Sequence, residues 1–213
     1  MGPRVVADPG RSATELRGLS NCRVTALFAD EPMMTTLFAY WNERRRGRAA
    51  PDRADIDPVD IDRRILPYVT LYDVFDGGRR ARARVIGSAL IPDLGIPDPT
   101  GHFVDEYLTP AQAAYFTSIM IDIVEKQCPI YSIDRHSTLQ RQHLLVKRLI
   151  LPLTRGGTAV AQTIGLTRHV PCCEDAIPWG TISDSGSTEN SRERKEIARY
   201  RIRDDAVELA ERD

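Results

Sequence analysis

The chain has 213 residues, enough for one domain with flanking segments or for two small domains. Its 29 basic and 30 acidic residues leave a net charge of −1, so no global charge favours nucleic acid or an anionic membrane surface. No apolar run reaches the ~18–20 residues that span a bilayer. Met1-Gly2-Pro3-Arg4 also lacks the apolar stretch of a secretory signal, so a cytoplasmic protein is expected.

In chain order, residues 1–30 mix Arg, Asp, Gly, Pro and Ser with few periodic apolar positions and read as a flexible arm. A folded domain is expected over 31–170. Asp30-Glu31-Pro32 favours a helix start, and Leu37, Tyr40, Trp41 and the alkyl stem of Arg44 fall on one face of that helix. Because this face precedes the expected core, it is the expected surface of a homodimer, with Leu37, Tyr40 and Trp41 at the interface. The basic run Arg44 to Arg48 follows, either a solvated helix end or a site for an acidic partner. Gly47 is the expected helix stop. Asp57-Pro58 then reads as the cap and first residue of a second helix running through Ile61 and Ile65, ended by Pro67.

Five strands are expected, at Tyr68–Phe75, Arg80–Ile86, Ile130–Leu139, His143–Thr154 and Ala159–Arg168, with glycine turns at Gly77-Gly78 and Gly156-Gly157. The fourth is apolar at both parities, which requires cover on each face of its sheet. Between the second and third strands, Pro110 to Lys126 reads as a long helix with Tyr115, Ile119, Ile123 and Val124 facing inward. The fold class is α+β: a five-stranded antiparallel sheet cupped by helices. From 171 onward the composition shifts to a linker and a charged tail, for which a marginal helix carrying Ile197, Tyr200, Val207 and Ala210 is expected.

Tyr40-Trp41, the arginine run, Pro51-Asp52-Arg53 with Asp55-Ile56-Asp57-Pro58, Leu66-Pro67, Arg82-Ala83-Arg84-Val85-Ile86-Gly87-Ser88 and Asp98-Pro99-Thr100-Gly101 occur in one order. Together they resemble the short stand-alone PAS-domain proteins common in alphaproteobacteria, over about Met33 to Thr167. The resemblance implies a sensory or protein-interaction domain acting through a signalling partner, and it names no ligand.

Cofactors and catalysis are not expected. Asn21-Cys22-Arg23 copies the opening of the motif by which flavin-binding PAS domains attach their chromophore, yet it lies ahead of the whole domain. Haem would want a histidine on the long helix, and residues 110–127 contain none; His102 precedes that helix. Cys22, Cys128, Cys172 and Cys173 have neither metal-ligand spacing nor a disulfide framework, even with His169 beside the adjacent pair. Asp134-Arg135-His136-Ser137 imitates a triad, but strand alternation sends Ser137 away from His136. Gly77-Gly78 lacks the helix and lysine of a phosphate loop.

For a small molecule, weakly polar or anionic, held between the long helix and the sheet, the candidate contacts are Tyr72, Arg84, Tyr115 and Gln162. Arg84 either points into the cup as a carboxylate or phosphate fork or pairs with Asp73 on the neighbouring strand. Gln162 is a polar residue on an apolar strand face, between Val160 and Ile164 at the same parity, and needs a partner.

Overall fold

The computed structural model of the chain describes residues 27, 30–94, 96–136, 144–171, 194–203 and 206–209. Helix α1 spans Pro32–Arg45 and is followed by short 3-10 turns, then β1 (Val69–Phe75) and β2 (Arg80–Ile86). Two short helices, α2 (Ile91–Leu94) and α3 (Val104–Tyr107), lead to the long α4 (Pro110–Lys126). The remaining strands are β3 (Ile130–His136), β4 (Leu144–Thr154), β5 (Val160–Pro171), β6 (Arg194–Arg203) and β7 (Ala206–Leu209). All pair antiparallel in one sheet of order β2-β1-β5-β4-β3-β6-β7.

Local chemistry accounts for the element ends. Thr109 and Gln112 cap the start of α4 reciprocally, and Pro110 occupies its first turn. Arg46 turns left-handed at φ 49° to end α1 and is followed by Gly47 at φ 80°. Gly78 is required for packing, because at φ +93° a Cβ there would lie 2.6 Å from the backbone of Met120 and Ile121. Without a side chain at this turn, α4 approaches the β1–β2 connection closely.

The sheet is covered on both faces. On the outer face, α1 lays Met34, Leu37 and Trp41 onto Leu149, Leu151 and Leu153 of β4 and Ile164 and Leu166 of β5. The Trp41 indole donates to the Pro152 carbonyl at 2.8 Å. On the inner face, Phe116, Ile119, Met120 and Ile123 of α4 pack on Ile130, Ile150, Tyr72 and Ala83. This is why β4 is apolar at both parities: each parity meets a different layer.

Two expectations change, one ahead of the sheet and one at its far edge. The helix expected from Asp57 through Ile65 is a 3-10 turn of three residues, Pro58–Asp60, since Ile61 is already extended at φ −80°, ψ 133°. Asp57 does cap it, accepting from the Val59 N–H. The sheet has seven strands where five were expected, because the described part of the charged tail forms β6 and β7. Within β6 the effective period is two: Ile202 and Tyr200 pack against the outer layer, while Arg199 and Arg201 reach α4. The β3 edge supplies the hydrogen-bond partners that favour a strand over an isolated helix. The arm (1–26), the cysteines Cys22, Cys172 and Cys173, Ser137 and the linker at 172–193 lie outside the described residues.

Candidate functional site

Strand register assembles a polar row inside the cup formed by the sheet and α4. Ser132 of β3 stands opposite Arg148 of β4 on one side and Arg199 of β6 on the other. Arg148 in turn stands opposite Thr167 of β5. Two residues along β3, Asp134 is fully buried and bonded to the Arg148 guanidinium. The Ser132 side chain is also fully buried, and its Oγ has no hydrogen-bond partner among the described residues.

Tyrosines ring this row. Tyr72 of β1 is buried against Phe116, with ring centroids 4.9 Å apart. Its hydroxyl faces that of Tyr107, and the Arg148 charge is felt at Tyr72. Burial pushes both phenols above their ordinary pKa, so both are neutral donors at physiological pH. The Arg199 guanidinium lies 5.4 Å from the Tyr115 ring centroid and donates to Ser118 Oγ at 2.9 Å. Arg201 forks onto both oxygens of Asp122 at 2.9 Å, tying β6 to α4. At the rim, His169 Nδ1 is 2.6 Å from Asp93 Oδ2, joining β5 to α2.

The four expected ligand contacts therefore divide. Tyr72 and Tyr115 belong to the cup, whereas Arg84 and Gln162 lie on the opposite face of the sheet. The cause is register: Gln162 and Arg82 are each opposite Asp73, on the outer parity. Gln162 Nε2 donates to Asp73 Oδ1 at 2.6 Å, and Arg82 donates to Asp73 Oδ2 at 3.0 Å. Burial would raise the Asp73 pKa, but these two hydrogen bonds and the charges of Arg84 and Arg82 hold it below the ordinary carboxylate value. Arg84 is the extra residue of a bulge between the pairs Leu71–Val85 and Tyr72–Ala83. Its side chain is 55% exposed, with Nε 3.6 Å from Asp73. The internal anion fork expected of Arg84 is thereby overturned; of the two alternatives the structure has the Asp73 pair.

The expected dimer residues are also placed differently. Leu37 is 0% and Trp41 2% exposed, both inside the chain's own outer-face core, so neither side chain is presented to a second copy. Tyr40 is half-buried, its hydroxyl accepting from the Asp57 N–H at 2.9 Å and donating to the Asp57 carbonyl at 3.1 Å. Sequence reasoning treated α1 as lying outside the core because nothing local shows that it folds back over β4 and β5. At its start, Lys147 binds both Asp30 and Glu31, the latter at 3.0 Å, which pins the helix to the sheet.

The antiparallel order β2-β1-β5-β4-β3 with α4 crossing the cup is the arrangement expected of a PAS domain. A PAS-domain family model matches residues 29–168, well over half the chain. The chain belongs to the PAS domain family. No curated protein and no solved structure matches it. The PAS assignment makes this a sensory or signalling type of domain in general terms. No helix among the described residues is long and apolar enough to cross a membrane. Among the same residues, no three His, Cys, Asp or Glu side chains are grouped to hold a metal ion.

The residues that sequence reasoning missed are Ser132, Asp134, Arg148, Tyr107 and Arg199. The signal that singled out Gln162, a polar side chain at an apolar parity, applies equally to Ser132 and Asp134 between Ile130 and the end of β3. Asp134 was read instead as part of a triad-like run. Arg199 was out of reach because its strand was read as helix.

Proposed function

We propose that this PAS domain is a non-catalytic sensor that holds a small polar or anionic molecule against the Ser132–Arg148 row and passes its occupancy to a protein partner. The observation that carries the reading is the Ser132 hydroxyl, wholly buried and without a partner among the described residues, between two arginine-bearing strands. Leaving such a group without a partner costs roughly 1–3 kcal/mol, which a bound acceptor or donor would offset. Apolar walls with a few oriented polar groups are the usual composition of a ligand site. The bond from Arg148 to Asp134 supports the absence of catalysis, since it engages the carboxylate that a triad would need to orient its histidine.

The test is a native mass spectrum of the purified protein and of Ser132→Val. A small-molecule mass retained by the wild type and lost in the variant is expected. Bare protein in both, with Ser132→Val the more stable, would overturn the reading. A second reading, a protein-interaction domain whose core is closed to ligands, is favoured by Arg84, which pairs with Asp73 outside the cup.

A further inference from the structure

The outer face of the sheet is not covered evenly. α1 and the 3-10 turns lie over β4, β5 and the start of β1, and they leave the corner formed by the end of β1 and by β2 open. Phe75 is 37% and Val85 46% exposed there, two of the three large hydrophobic residues so exposed among the described residues. Register places Phe75 opposite Arg80, Asp73 opposite Arg82, and Leu71 opposite Val85, all on the outer parity. The guanidinium groups of Arg82 and Arg84 thus gather around one buried carboxylate, with Arg80 next to them over the Phe103 ring.

The acidic complement is incomplete. Asp73 takes full hydrogen bonds from Gln162 and Arg82, while Arg84 approaches it only to 3.6 Å, too long for a hydrogen bond. Asp105 stands 3.8 Å from Arg80 and is itself 62% exposed. At the floor of the corner, Arg82 Nε and Gln162 Oε1 are both buried without hydrogen-bond partners among the described residues.

We infer that this β1–β2 corner docks an acidic segment of a signalling partner, with an apolar side chain anchored on Phe75 and Val85 and carboxylates on Arg84 and Arg80. Charge decides among occupants. A second copy meeting this surface across a two-fold axis would set arginines against arginines. The chain's own residues 1–26 carry four arginines against two acids and repel the corner in the same way. Residues 172–193 instead carry five acids against one arginine, so their occupancy of the corner, read as no peptide binding to the full chain, would overturn the partner reading. Nucleic acid is disfavoured because the chain as a whole carries a net charge of −1, with no basic excess to hold a phosphate backbone.

Fluorescence anisotropy of the full chain with a labelled peptide of alternating leucine and glutamate tests the inference. A matched leucine–lysine peptide and a labelled thymidine oligonucleotide serve as competing probes. The acidic peptide should bind, weaken with salt, and lose roughly tenfold in affinity in Arg84→Glu and in Val85→Asp. Both positions are exposed, so both variants should fold. Absence of binding, equal binding of the lysine peptide, tighter binding of the oligonucleotide, or an unchanged affinity in Arg84→Glu would each overturn it. Ser132→Val should still bind the acidic peptide, so docking at the corner is read separately from occupancy of the cup.

Discussion

Asp134–Arg148 and Asp73–Arg82 are the same chemistry placed on opposite faces of one sheet. Asp134 is fully buried and Arg148 is 11% exposed, so their pair is enclosed by the cup. Asp73 is 11% exposed but Arg82 is 37% exposed, at the rim of an uncovered corner. Enclosure makes a lone charge costly, whereas solvent at the rim screens it. The comparison teaches that register alone decides which arginine–carboxylate pair governs stability and which remains free to meet a partner.

The sharpest way to break this contrast is to remove one enclosed charge. Asp134→Ala should destabilise the protein by about 3–5 kcal/mol in urea unfolding, because Arg148 is left buried without its carboxylate. Replacing both, as Asp134→Leu with Arg148→Met, should recover most of that loss. A single-variant cost below about 1 kcal/mol would mean that the pair is hydrated like an exposed one, and the contrast would fail.

Next in size is the layer that separates the covered outer face from its open corner. Leu37→Ala should cost about 2–5 kcal/mol, as expected of a fully buried leucine, with no change of mass by light scattering. An unaltered stability together with a loss of dimer would return α1 to the role of interface. Smaller still, Asp73→Asn should cost about 1 kcal/mol or less, since solvent already screens its arginines and the Gln162 contact can be kept.

The smallest effects are read against pH. The Asp73 pKa is lowered from 3.8, so its contribution is whole above that value and drains away as the pH falls below it. Burial alone would lower the Lys147 pKa, but its hydrogen bonds to Asp30 and Glu31 raise it above 10.5. Its contribution is therefore whole below 10.5 and is lost as the pH climbs through the raised value. Stability measured against pH should fall at both ends, and Asp73→Asn should flatten the acid limb alone.

Much of the inner layer was legible in the sequence. The apolar stripe of α4, its start at Pro110 and five strands with glycine turns follow from periodicity and turn chemistry, and these depend on neighbours in the chain. Tyr72 and Tyr115 stand in the cup where the sequence expected them, Tyr115 because helical periodicity sets it on the inward stripe of α4. Arg84 was misread because a one-residue bulge in β2 breaks the alternation on which the face assignment depended. The tail was misread because its strand has few partners along the chain, and its hydrogen bonds come from the β3 edge.

By itself the sequence determined α1, the long helix α4, the five strands β1 to β5 in PAS order and the absence of any global charge bias, since periodicity, capping and composition are local properties. Tertiary structure alone decided that α1 covers the outer face, that Ser132 lies between Arg148 and Arg199, and that Arg80, Arg82 and Arg84 crowd one open corner. These are questions of register and layer. Each depends on which residues, distant along the chain, the hydrogen-bonded sheet sets side by side.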